Sequence, residues 1–287
     1  AFATHIHDTH VSVGSGPLAW LFGAAPIGAA ARLIEKQLVI TRIADSSASA
    51  AGLRVGDVVV SVDGERIDRR IARLTPYLAA STPQSMRFRL QSTLLRGPDA
   101  TPARLVVRGA TGGDRTLSVP RSASFARLLQ KHRTGSIIRI LPGNIGYIDL
   151  DRLSAGMVDS AFRVLAGTKA IVFDDRGYPL GTAWPIAPRL NVHGEGTTAA
   201  RFRRLIVPSP DPARTTTYQF DQPIPPAQGV PRYTGRTVML VDERTISQAE
   251  HTGLFFEAAN GTTFIGSPSM GANGDVAHTG YAHWTAD

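Results

Sequence analysis

The sequence predicts a mixed α/β (α+β) chain with a β-rich first part and a layered β–α second part. Three observations predict it. Continuous apolar runs recur at Ala170–Asp174, Thr237–Asp242 and Thr262–Gly266, the pattern of strands buried on both faces. Helical periodicities stand between and beside them, at 157–165 and 247–259. Earlier in the chain, two Gly-Asp-type turns, Gly56-Asp57 and Asp63-Gly64, bracket an apolar β-branched strand over 58–62.

Composition bounds the classes. The chain has 287 residues, enough for roughly two domains. Hydrophobic residues make up 43% and charged residues 19%, so a sizeable core is expected and wholesale disorder is excluded. Without cysteine there are no disulfides, thiolate nucleophiles or Cys-based zinc sites. Only Val11 to Ala31 is uncharged for long enough to suggest a membrane span. Gly14, Gly16, Pro17, Gly23, Pro26 and Gly28 break that run, so no stable membrane insertion is expected. Net charge is +8, from 31 Lys+Arg against 23 Asp+Glu. The basic residues include only three lysines, Lys36, Lys131 and Lys169. The arginines are scattered rather than set in a stripe with interleaved aromatics, which argues against nucleic acid as a partner.

In chain order, Leu38–Ile43 alternates like a half-buried strand. A small-residue turn is expected over 45–50, then the strand 58–62. A helix is expected near Ile71–Ala80, and strands near Met86–Leu90, Ala103–Val107 and Arg115–Val119 to complete a small barrel. A short basic helix or linker, Phe125–Arg133, separates this part from the next. There Ile145–Leu150 reads as a strand, followed by the helix and strands named above. Alternating strands and helices argue a layered α/β domain. Pro208 to Pro231 holds seven prolines and reads as a long ordered loop or lid, since such a run makes neither a helix nor a central strand.

Three segments carry possible chemistry. In Val241-Asp-Glu-Arg-Thr-Ile-Ser-Gln-Ala-Glu-His251 a buried strand ends and a helix begins at or just after Ser247. A serine there is exposed at a strand-to-helix turn, beside free N–H groups and the positive end of the helix dipole. Equally, Ser247 can be an N-cap whose Ser-x-x-Glu with Glu250 is a capping box. Asp174–Gly181, at the carboxyl end of a strand, is either a ligand-facing turn in which Gly177 presents its N–H, or an ordinary turn with Arg176 paired to an acid. His7-Asp-Thr-His10, with His5 nearby, could suggest a metal. No further ligand stands at a recognised spacing, so no metal is expected, and a general base is the better use of one of these histidines. No cofactor is expected either.

The stretch Ala51-Gly-Leu-Arg-Val-Gly-Asp-Val-Val-Val-Ser-Val-Asp-Gly64 resembles a PDZ domain. With it, Ser247-Gln-Ala-Glu250, Asp174–Gly181, Ile145–Leu150 and Gly266-Ser-Pro-Ser-Met-Gly271 resemble, in order, the C-terminal processing (tail-specific) serine peptidases. The resemblance implies a crotonase- or ClpP-like layered βα protease domain with an inserted PDZ-like β-barrel. Residues 1–18 would be an N-terminal piece of the protease domain, 19–121 the PDZ-like module, and 122–287 the catalytic domain, incomplete at its C-terminus. Ser247 would be the nucleophile, with the N–H groups of Gly177 and Gln248 as the oxyanion hole.

One departure matters. Many members use a Ser–Lys dyad, yet Ala272 stands where that lysine would be and no lysine follows Lys169. The tricorn-like branch takes its base from a (Ser/Thr)-His pair before the PDZ module, and Thr9-His10 matches it. His10 would then accept the Ser247 proton, with Thr9 relaying or orienting and an orienting acid tens of residues beyond Ser247; Glu250 is in range by sequence but is better read as capping or packing. His251, His278 and His283 compete as bases. The implied function is a serine endopeptidase acting on peptide or protein substrates through an acyl-enzyme, outside the cytoplasm. The substrate's terminal carboxylate would sit near Phe22-Gly23 or Gly28 of the PDZ-like module. The alternative is an inactive relative acting as a binding scaffold. An acyl-CoA enzyme of the crotonase type would not explain the PDZ-like insert.

Overall fold

The computed structural model describes residues 2–12, 20–130, 133–207, 210–227 and 229–274. Two compact units divide between Gly135 and Ser136.

In the first unit, strands β1 (Ala29–Ile34) and β2 (Gln37–Ile43) form a hairpin, and helix α1 (Ser46–Ala50) follows. Strand β3 (Val58–Val62) turns through Asp63-Gly64 into β4 (Glu65–Arg66), then helices α2 (Ile67–Leu74) and α3 (Pro83–Thr93). Strands β5 (Ala103–Arg108) and β6 (Asp114–Val119) and helix α4 (Phe125–Leu129) complete the unit. The sheet order is β1-β2-β3-β5-β6, with β4 paired to β3. Asp63 (φ 53°) and Gly64 (φ 83°) both adopt positive φ, as the tight turn of a right-twisted hairpin requires. Both turn aspartates are locked by arginine. Arg115 reaches Asp57 at 2.5 Å, and Arg121, 4% exposed, reaches Asp63 at 2.6 Å. Leu38, Ile40, Val59, Val62, Leu105 and Val107 face one core.

Three expectations change here. The segment 83–93 is a helix rather than a strand near Met86–Leu90. Thr82 caps it, accepting from Ser85 N–H at 3.2 Å, and Pro83 takes the first-turn position it favours. Met86, Leu90 and Leu94 recur every four residues, so one helical face meets the core. The helix expected near Ile71–Ala80 runs earlier, from Ile67 to Leu74. The turn over 45–50 is a short helix, with the Asp45 carboxylate accepting from Ser47 N–H at 2.9 Å.

The second unit contains β7 (Ile138–Leu141), β8 (Ile145–Asp149), helix α5 (Val158–Leu165), β9 (Ala170–Asp174), helix α6 (Ala183–Leu190), β10 (Thr198–Val207), β11 (Thr216–Pro223), β12 (Arg236–Val241), helix α7 (Gln248–Asn260) and β13 (Thr263–Gly266). The main sheet runs β13-β12-β9-β8-β7, parallel except for β7 at one edge. Ile148, Ile171, Phe173 and Met239 pack against Phe255 and Phe256 of α7, with the Phe173 and Phe256 rings 4.7 Å apart.

Two further expectations change. The 263–266 strand is a sheet edge rather than a buried strand, with Phe264 at 41% and Ile265 at 54% exposure. Of the proline-rich segment, 216–223 is a strand, paired with β10 as a two-stranded ribbon. Pro223 ends that strand, where its missing N–H costs no ladder bond.

Candidate active site

The carboxyl ends of β9, β12 and β13 send three loops together, the position where open α/β sheets gather ligands. Thr245 ties the first two. Its hydroxyl donates to the Asp175 carbonyl at 2.9 Å and accepts from Asp242 N–H at 3.1 Å. The third loop is joined by Met270 N–H donating to the Thr245 carbonyl at 2.9 Å, and by Ser247 N–H donating to the Ala272 carbonyl at 3.0 Å. Within the turn before the serine, Arg244 closes on Asp242 at 2.7 Å.

Ser247 sits at the junction of this turn and α7, with φ 55° and ψ −119°. A non-glycine residue there is strained, by of order 1–3 kcal/mol, and holds only because its surroundings over-determine it. The surroundings are visible. Glu250, one turn along α7, accepts from Ser247 N–H at 3.0 Å, Ser269 Oγ at 2.6 Å, Gly271 N–H at 2.7 Å and Ala272 N–H at 3.0 Å. Glu250 is therefore a clamp between the serine turn and the 266–272 loop. Gln248 opens α7, so its N–H has no partner within the helix. The position expected of a lysine is Ala272, whose N–H is one of the Glu250 donors.

The Asp174–Gly181 segment shows the paired turn of the sequence reading. Arg176 does pair with an acid, the fully buried Asp174, at 2.9 and 2.7 Å, and Tyr147 donates to the same carboxylate at 2.7 Å. Gly177 follows directly. A Cβ there would lie 2.1 Å from Oδ2 of Asp151, so any larger residue would force that carboxylate or the turn to shift. Asp151 was not singled out from the sequence. The parallel register pairs Asp149 with Asp174, and this brings Asp151, the second residue after β8, beside the turn after β9.

Of the competing bases, His251 packs among the rings of Phe255 (5.0 Å), Phe202 (5.5 Å) and Trp184 (6.0 Å), as its phase on α7 suggests. His278 and His283 lie outside the described residues.

Thr9 and His10 belong to the first unit. Thr9 is buried. Its N–H donates to Ser81 Oγ at 2.8 Å, its hydroxyl contacts Ser81 and Ser85 at 3.1 Å, and it accepts from Ser81 N–H at 2.9 Å. Arg89 of α3 donates to the carbonyls of Thr9 and Val11. The Thr9 hydroxyl is thus engaged in holding the segment on α3. His10 N–H donates to Asp8 Oδ1 at 2.8 Å, and His10 Nδ1 lies 3.5 Å from the same oxygen. His5 and His7 are exposed.

Two glycines considered for a carboxylate-binding loop have other reasons to be glycine. A Cβ on Gly23 would lie 2.3 Å from Gly97 N, and one on Gly28 would lie 2.6 Å from Asp45 Cβ.

Residues 39–92 match the PDZ domain family, so the first unit carries a PDZ domain. No curated protein matches the chain. Among solved structures, mature CPAF complexed with lactacystin aligns at 13% identity over 90% of this chain and 72% of that one, with a TM-score of 0.60. Mature CPAF alone aligns at 13% identity over 91% and 71%, also with a TM-score of 0.60. The photosystem II D1 C-terminal processing protease aligns at 20% identity over 86% and 61%, with a TM-score of 0.38, too low to bear on the argument. The chain therefore shares its fold with CPAF, in agreement with the mixed α/β fold and PDZ module expected from the motifs, though not with the expected barrel: the strands of the first unit are a sheet in the order β1-β2-β3-β5-β6.

Proposed function

We propose that the chain is a serine endopeptidase of the C-terminal processing type, cleaving peptide or protein substrates through an acyl-enzyme. One observation carries the reading: Ser247 is held at φ 55° on a strand-to-helix turn, at the sheet end where three loops meet. A strand-to-helix turn of this kind is where a nucleophilic serine is presented, and a capping arrangement with Glu250 does not by itself require the positive φ. In the proposed reaction His10 takes the Ser247 proton as Oγ attacks the scissile carbonyl carbon. The N–H groups of Gly177 and Gln248 receive the oxyanion, and the protonated His10 then donates to the leaving amine. Thr9 keeps His10 in position through its bonds to Ser81 and Ser85. The fold shared with CPAF, a protease, supports the same class.

On this reading residues 1–18 and 122–287 form the protease domain and the PDZ module between them meets the peptide. The compartment is extracytoplasmic, a proposal resting on the resemblance alone. The test is hydrolysis of an unstructured protein such as casein by the chain and by its Ser247→Ala variant. Loss of cleavage in the variant, with folding retained, supports the proposal; equal cleavage refutes it.

The second reading, a binding scaffold without catalysis, is favoured by one feature: Ala272 occupies the lysine position and no lysine follows Lys169. It predicts no cleavage by either form.

A further inference from the structure

Asp8, two residues before the proposed base, touches it twice. Its Oδ1 accepts the His10 backbone N–H at 2.8 Å, which closes a turn and fixes where the ring begins. The same oxygen lies 3.5 Å from His10 Nδ1. The other ring nitrogen, Nε2, is buried and makes no hydrogen bond among the described residues. A buried polar atom without a partner costs free energy, so an orphan nitrogen beside an acid-backed one is a pattern to be explained.

We infer that Asp8 is the positioning acid of His10, a residue that the motif resemblance does not provide. The inference rests on the proposed serine-peptidase function. A carboxylate at Nδ1 favours the tautomer with its proton on Nδ1, because only that form places N–H against the negative oxygen. Nε2 then carries the lone pair and is the atom able to accept a proton. When Ser247 attacks, its hydroxyl proton moves to Nε2, the Oγ–carbon bond forms, and the carbonyl π pair becomes the oxyanion. The ring becomes imidazolium, and the adjacent Asp8 carboxylate stabilises that charge. Asp8 acts through His10 and touches no substrate. Its side chain is 49% exposed, against 17% for His10, so water weakens its effect relative to a fully buried acid.

The substitution Asp8→Asn separates this role from a structural one. Asparagine keeps an Oδ1 that can accept the His10 N–H, so the turn persists, but the negative charge is gone. Two measurements follow. The first is the rate of covalent labelling by a fluorophosphonate probe for wild type, Asp8→Asn, His10→Ala and Ser247→Ala. The second is the ¹⁵N signature of the His10 ring nitrogens in wild type and Asp8→Asn. A positioning role predicts labelling slowed by at least roughly tenfold in Asp8→Asn at unchanged Tm, with the ring proton shifting away from Nδ1. Labelling that depends on Ser247 and His10 but is unchanged in Asp8→Asn, with an unchanged ring signature, overturns this inference and leaves the parent function standing. No labelling of wild type, or labelling that survives Ser247→Ala, overturns the parent reading and this inference with it.

Discussion

The carboxylate of Glu250 accepts the backbone N–H of Ser247 at 3.0 Å while accepting three further donors from the 266–272 loop. The strained serine turn and the loop beside it are therefore one assembly, held by a single side chain. Glu250→Ala leaves four donors to find water or remain unsatisfied. Stability should fall by about 2–3 kcal/mol, the order expected for losing charge-assisted hydrogen bonds at a half-buried site. Chemical denaturation reads the stability. Fluorophosphonate labelling of the folded fraction should also slow, since Ser247 would be free to relax.

At Gly177 the expected effect is on rate more than on folding. A methyl group there meets Asp151 Oδ2 at 2.1 Å, so either the turn or the carboxylate must move. Displacing one oxyanion donor should slow labelling of Gly177→Ala by more than roughly tenfold, short of the 10²–10³ typical of deleting a donor outright. Adding Asp151→Ala to the same chain removes the clash and should restore part of the rate. If Gly177→Ala labels at the wild-type rate, the oxyanion assignment fails.

Arg121 makes the PDZ module sensitive to one turn residue. Its side chain is 1% exposed and paired with Asp63 at 2.6 Å. Asp63→Ala strands a buried guanidinium, and breaking such a pair costs about 3–5 kcal/mol when both partners are buried. Asp63 is 37% exposed, so about 2–3 kcal/mol is expected, read as a lowered denaturation midpoint of the first unit.

Acid should weaken the same unit through Glu65. The Arg73 guanidinium hydrogen-bonded to Glu65, at 2.7 Å through two nitrogens, holds its carboxyl below the usual carboxylate range, with Arg70 adding to the effect. A depressed folded pKa means the stabilisation is present above the unfolded-state value and is lost as pH falls through the folded one. The stability gap between wild type and Glu65→Gln should thus be open at pH 7 and narrow as pH falls below the usual carboxylate range. A gap that does not change with pH contradicts this.

Much of this architecture was legible in the sequence because burial writes itself into simple patterns. The strands at 170–174 and 237–242 are unbroken apolar runs, as central parallel strands require, and Ser247 stands where one such run meets a helical period. The misread segments have physical reasons. The 83–93 helix carries its apolar residues at a spacing of four, yet its short Met86–Leu90 core also reads as a strand; the Thr82/Pro83/Ser85 start signal decides it. The 263–266 run looks buried only if a neighbour lies beyond it, and apolar composition alone does not reveal a sheet edge. The role of Asp151 depends on strand register, and that of Asp8 on a turn two residues long. Neither follows from residue type.

The most direct test of the central claim is the mass of the intact chain, and of its peptides, after exposure to a fluorophosphonate. A single adduct on Ser247 is expected, absent in Ser247→Ala and strongly slowed in His10→Ala. A folded chain that takes no adduct, or one that takes it at another residue, contradicts the assignment of Ser247 as the nucleophile.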